Sequence, residues 1–172
     1  MAIPILGAGG ESDRLSLKLS TCTRKHINNE RPIEIAPASL RASIEIDKST
    51  NPQARLTSTP TVTYNCMGLV FASRRTCIDI SELDFILHED GYRRLGGLHE
   101  AHPGDVVGYR KDGQVEHVGL INSTEVNYQG LPIQATVISK WGRHAEYLHN
   151  IKDVPPQYGS PELFWTHRKL PP

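Results

Sequence analysis

Gly104-Asp105-Val106-Val107-Gly108-Tyr109-Arg110-Lys111-Asp112-Gly113-Gln114-Val115-Glu116-His117-Val118-Gly119-Leu120-Ile121 is the stretch that decides the fold. Two apolar runs flank Lys111-Asp112-Gly113, and Asp-Gly between such runs favours a tight hairpin turn because both residues tolerate positive φ. Residues 105–110 and 115–122 are therefore predicted as antiparallel strands. Downstream, a polar loop over 127–130 precedes a third predicted strand at 135–140. Pro155-Pro156 breaks the chain before a last strand at 163–166. Upstream the signals are helical. An apolar run from Cys66 to about Ser73 predicts one helix. Asp79-Ile80-Ser81-Glu82 carries an N-cap candidate with Glu three residues on, Leu83, Ile86 and Leu87 share a face, and Gly91 is a natural stop. Helices first and an antiparallel meander second give an α+β order, with helices packed on the meander.

The 172 residues suit one domain with an extension. Residues 1–60 are rich in Ser, Thr, Arg, Asn and Pro and read as a loosely ordered arm, with short strands expected at 33–35 and, on period-two alternation, at 42–46. An inhibitory or targeting segment is the sharper alternative, and the arm is the favoured one. Residues 61–172 form the main domain. Lys+Arg and Asp+Glu both number 19, which gives no electrostatic argument for nucleic acid or an anionic membrane. No apolar run approaches the roughly 18 residues of a membrane span. The first residues lack the basic region and the length of a secretory signal, so the expected location is cytoplasmic, with signal-less export left open. Three cysteines, Cys22, Cys66 and Cys77, are too few and too odd for a disulfide framework and fit free thiols. On a single continuous helix, Cys66 and Cys77 would stand about three turns apart and could not bridge.

Cys66 and His117 carry the chemistry. A cysteine attacks as thiolate, and a helix start or a nearby imidazolium lowers its pKa toward neutrality. Thr61, Thr63 and Asn65 supply capping or turn residues just before Cys66, and Gly68 lets a backbone or a substrate come close. His117 opens its own run, and strand alternation places it on a face with Val115 and Gly119. Taken singly, each residue is more often a core cysteine or a satisfied histidine. The pair, in this order around a hairpin, is what favours an enzyme.

Asn65-Cys66-Met67-Gly68-Leu69-Val70, Gly104-Asp105-Val106-Val107 and His117-Val118-Gly119-Leu120-Ile121 together resemble the NlpC-type branch of the papain-like cysteine peptidases, broadly including the CHAP-type amidases. The resemblance covers residues 62 to 150. It implies a papain-like fold, a Cys66 nucleophile, a His117 base, no cofactor, and a peptide or protein amide as substrate. It also implies a polar residue on the next strand that orients the imidazole. Pairing of 115–122 with 134–140 brings 139–142 opposite His117. Ser139 can accept the imidazole N–H, charged Lys140 cannot, and His144 lies just beyond. The family commonly has His, Asn or Gln there and a small polar residue where Met67 stands, so both positions depart from its pattern. The backbone N–H of Cys66, with Tyr64 or Asn65, is the expected oxyanion site, and Lys140 and Trp141 the expected substrate rim.

Cell-wall peptides are one implied substrate class. The missing signal favours an intracellular role instead, in a bacterial or phage conflict system or as an injected effector, with any partner or immunity protein unknown. Acyl transfer or deamidation on a protein partner, and a binding module with a silent thiol, are the alternatives. His99-Glu100-Ala101-His102 and the pair His144 and His149 are weak metal candidates without suitable Cys or carboxylate partners, so no metal is expected. Arg74-Arg75 and Arg93-Arg94 read as solvated faces. The tyrosines 109, 128, 147 and 158 have no regular spacing, which disfavours nucleic-acid binding.

Overall fold

The structure is a computed structural model and describes residues 15–35, 37–142 and 144–169. In chain order its elements are β1 (Asn29–Glu30), α1 (Pro37–Thr50), β2 (Arg55–Leu56), α2 (Cys66–Phe71), β3 (Cys77–Ile78), α3 (Leu83–Glu89), β4 (Arg93–Arg94), β5 (Val106–Lys111), β6 (Gln114–Val126), β7 (Pro132–Trp141), β8 (Ala145–Asn150) and β9 (Ser160–Thr166). Single 3-10 turns occupy Ile80–Glu82, Leu98–Glu100 and Pro156–Tyr158. The chain is thus α+β, dominated by a seven-stranded sheet of order β2-β8-β7-β6-β5-β9-β4 whose strands pair antiparallel.

The hairpin forms at Asp112 and Gly113, which take the positive φ the turn demands (50° and 84°). β5 lies between β6 and β9 and is buried on both faces, which is why its sequence is an almost unbroken apolar run. Val106 joins one cluster with Val118, Leu163 and Trp165, against Met67 and Ala72 of the α2 segment and Ile86 and Leu87 of α3. Val107 and Tyr109 join a second cluster with Ile121, Val137 and Phe164. A third cluster seats Leu40 and Ile44 of α1 on Trp141, Ala145 and Tyr147. Residues before 60 therefore contribute to the core, and β1 and β2 pair with β3 and β8.

Three local expectations are corrected. Residues 42–46 are helical, because Leu40 and Ile44, four apart, are the buried pair while Ile46 is 63% exposed. Helical spacing overrides the apparent alternation. Residues 33–35 form no strand, with Ile33 and Ile35 exposed. Residues 145–150, for which no strand is predicted, are strand β8, whose Glu146, Tyr147 and His149 are buried. Among the described residues no helix is long and apolar enough to cross a membrane.

Candidate active site

Asn65 caps α2: its Oδ1 accepts the Gly68 N–H at 2.9 Å and the Ile78 N–H at 3.2 Å, and its Nδ2 donates to the Ile78 carbonyl at 2.7 Å. One side chain thus ties the start of α2 to β3. A Cβ on Gly68 would lie 1.8 Å from the Thr76 carbonyl oxygen, so the close approach that needs this glycine is the protein's own backbone. α2 ends at Phe71, and the turn after it folds Cys77 back toward the start of the helix, so the single helix separating Cys66 from Cys77 does not exist.

Cys66 is partly exposed as a residue, but its sulfur is desolvated. Burial pushes the thiol up to about 11, against the backbone N–H groups of Val118, Met67 and Cys66 itself, which face the sulfur and lower it. The expected lowering by a helix start is thus corrected: α2 has only six residues, and desolvation outweighs its N–H groups. The β6–β7 pairing begins at Leu120↔Ile138, so residues 117–119 lie past that ladder, where the Val118 N–H meets the sulfur.

His117 is 1% exposed. The β5–β6 register runs Tyr109↔His117 and then Arg110↔Val115, which leaves Glu116 as an extra, bulged residue. The bulge puts Val115 with the α2-facing cluster of Val118 and takes it off the His117 face, correcting the alternation read from sequence. The imidazole leaves β6 on the side of Tyr109, ring centroids 5.5 Å apart, and stacks on Tyr158 at 4.1 Å and 17°. Burial, with the nearby His149 adding to it, drives its pKa down to about 3. Its Nε2 is buried and has no hydrogen-bond partner among the described residues.

No hydrogen bond joins Cys66 Sγ to His117 among the described residues. His117 stacks on Tyr158 instead, and Cys66 lies close enough to Tyr158 to act on it electrostatically. Burial raises the Tyr158 phenol above its ordinary range, and negative charge on Cys66 raises it further. At rest the site holds a neutral thiol and a neutral imidazole.

The other predicted site residues have other work. Ser139 Oγ sits 2.8 Å from His149 Nε2 and accepts the Trp141 Nε1–H at 3.0 Å, and makes no bond to His117. Lys140 is buried, donates to the Thr61 and His144 carbonyls at 2.7 and 3.0 Å, and lies 4.6 Å from the Tyr64 ring centre; desolvation lowers its pKa to about 8. Neither it nor His144 orients the imidazole. Tyr64 donates its hydroxyl to Glu146 at 3.0 Å and Asn65 is used up as a cap, so both are corrected from oxyanion groups to structural ones. Trp141, 2% exposed, packs on Tyr147 and is more core than rim. Arg74 is not merely solvated: its guanidinium binds the buried Glu146 carboxylate at 2.7 and 3.2 Å. Among the described residues no group of three His, Cys, Asp or Glu is placed to hold a metal ion.

Tyr158 was missed. Pro155-Pro156 before it and Gly159 after it mark a turn, but nothing in the sequence separates this tyrosine from the others. A scan against protein-family models, a search of curated proteins and a search of solved structures each found no match.

Proposed function

We propose that this chain is a papain-like thiol hydrolase of the NlpC type, cleaving a peptide, isopeptide or related amide bond. Cys66 sulfur attacks the carbonyl carbon as its proton passes to His117. The imidazolium returns that proton to the leaving nitrogen as the C–N bond breaks, and water hydrolyses the thioester to regenerate the thiol. The Cys66 backbone N–H is the natural donor to the oxyanion.

One observation carries the reading: a buried imidazole nitrogen without a partner, on the residue next to the one whose N–H faces the thiol. An unmade buried hydrogen bond costs about 1–3 kcal/mol, and such a cost is commonly borne by groups kept for chemistry. Proton transfer requires an imidazole nitrogen within hydrogen-bond reach of the sulfur in the substrate complex, and apo sites are often looser than their Michaelis complexes.

The test is turnover of a panel of peptide and isopeptide amides by wild type, Cys66→Ala and His117→Ala, with circular dichroism as the check on folding. Hydrolysis lost in both folded variants supports the mechanism, and full activity in either rejects it. Adding a primary amine separates hydrolysis from acyl transfer through the amine adduct. A second reading, a binding module with a silent thiol, is favoured by the two neutral resting groups. It gains if the folded wild type turns over none of the panel.

A further inference from the structure

Tyr158 sits on the 3-10 turn Pro156–Tyr158 that joins β8 to β9. Next to it Gly159 has φ +82°, and a Cβ there would fall 2.0 Å from the Arg110 carbonyl oxygen. The turn is therefore locked onto the end of β5 by a contact that only glycine permits. The tyrosine also lines a cavity of about 350 Å³, together with Trp141, Gly142, His144, Asp47 and Ser43. His117 is not among the residues lining that cavity, although its ring stacks on Tyr158 at 4.1 Å. The phenol ring is thus the partition between an open cavity and a buried imidazole.

We infer that Tyr158 is a gate: displacement of its ring from His117 joins the cavity of Asp47, Trp141 and His144 to the Cys66–His117 pair and admits the acyl part of an amide substrate. The inference rests on the hydrolase reading for what enters, but the gate itself is a matter of access. A planar ring at stacking distance excludes water from one face of the imidazole. Tyr109 lies against the same imidazole from β5, so it stays in place when the turn moves. The cavity is of a size that holds a small side chain with its adjoining amide, near the lower end of ligand sites at roughly 300–1,000 Å³.

Access is read without turnover, on the full chain, by modification of His117 with diethyl pyrocarbonate and by its NMR titration. Tyr158→Ala is expected to speed modification of His117 at least tenfold and to raise its titration midpoint by more than one pH unit. Tyr158→Phe keeps the ring and is expected to match wild type in both. Gly159→Ala, which shifts the turn and leaves the ring unaltered, is expected to move both readouts in the direction of Tyr158→Ala, and serves if that variant folds poorly. Unchanged modification and titration in folded Tyr158→Ala or Gly159→Ala overturns the gate, as does Tyr158→Phe behaving like the alanine variant. Failure of the hydrolase reading shows instead as absence of turnover in a protein whose His117 access still depends on Tyr158.

Discussion

The resting state of Cys66 sets a definite reactivity. With the thiol pushed up to about 11 by desolvation, about one molecule in ten thousand carries a thiolate at pH 7. A small free thiol of pKa near 8.5 is about 3% ionised there, roughly 300-fold more. The more basic thiolate is intrinsically the better nucleophile, and a Brønsted slope of about 0.4–0.5 over that interval returns roughly tenfold. Exchange with an aromatic disulfide reagent is therefore expected to run about 30-fold slower at Cys66 than at the free thiol, before steric exclusion slows it further. The assay follows exchange in Cys22→Ser protein, which removes the exposed thiol, and assigns label to Cys66 or buried Cys77 by peptide mass mapping. The rate should climb about tenfold per pH unit from 7 to 10 without a plateau. A rate that levels off between pH 5 and 8 would mean a thiolate already paired with an imidazolium, and would refute the neutral resting pair.

His117 should make the fold acid-sensitive. Its folded pKa lies below its unfolded one, so the unfolded chain binds the extra proton; stability is full above the unfolded value near 6.5 and falls as pH drops toward 3. His117→Gln is expected to flatten the decline of Tm between pH 6.5 and 4, and a decline as steep as wild type would count against burial of the neutral ring. Glu146→Ala removes the acceptor of Arg74, Tyr64 and Thr57 and is expected to cost about 2–4 kcal/mol in urea unfolding. A loss below about 1 kcal/mol would mean that water replaces the carboxylate. Gly68→Ala forces a methyl into the Thr76 carbonyl and is expected to cost at least about 2–3 kcal/mol by the same measurement.

The amino-acid sequence by itself determined the parts whose causes are local. Asp112-Gly113 allowed the hairpin turn, the apolar runs of β5 and β6 allowed a doubly covered sheet centre, and Asn65 before an apolar run allowed the cap that starts α2. Those signals live in a few neighbouring residues, and propensity and periodicity report them. Tertiary structure decided the rest. Residues 42–46 became helix because Leu40 and Ile44 found Trp141 and Tyr147 a hundred residues away. Glu146 and Lys140, polar in any local reading, were buried because Arg74 and the Thr61 and His144 carbonyls came to meet them. The protonation of Cys66 and His117 was likewise out of local reach, since desolvation depends on what packs around a group in space. The stacked partner of His117 was out of local reach for the same reason: Tyr158 arrives from the β8–β9 turn, far along the chain, and only the packed fold lays its ring on the imidazole.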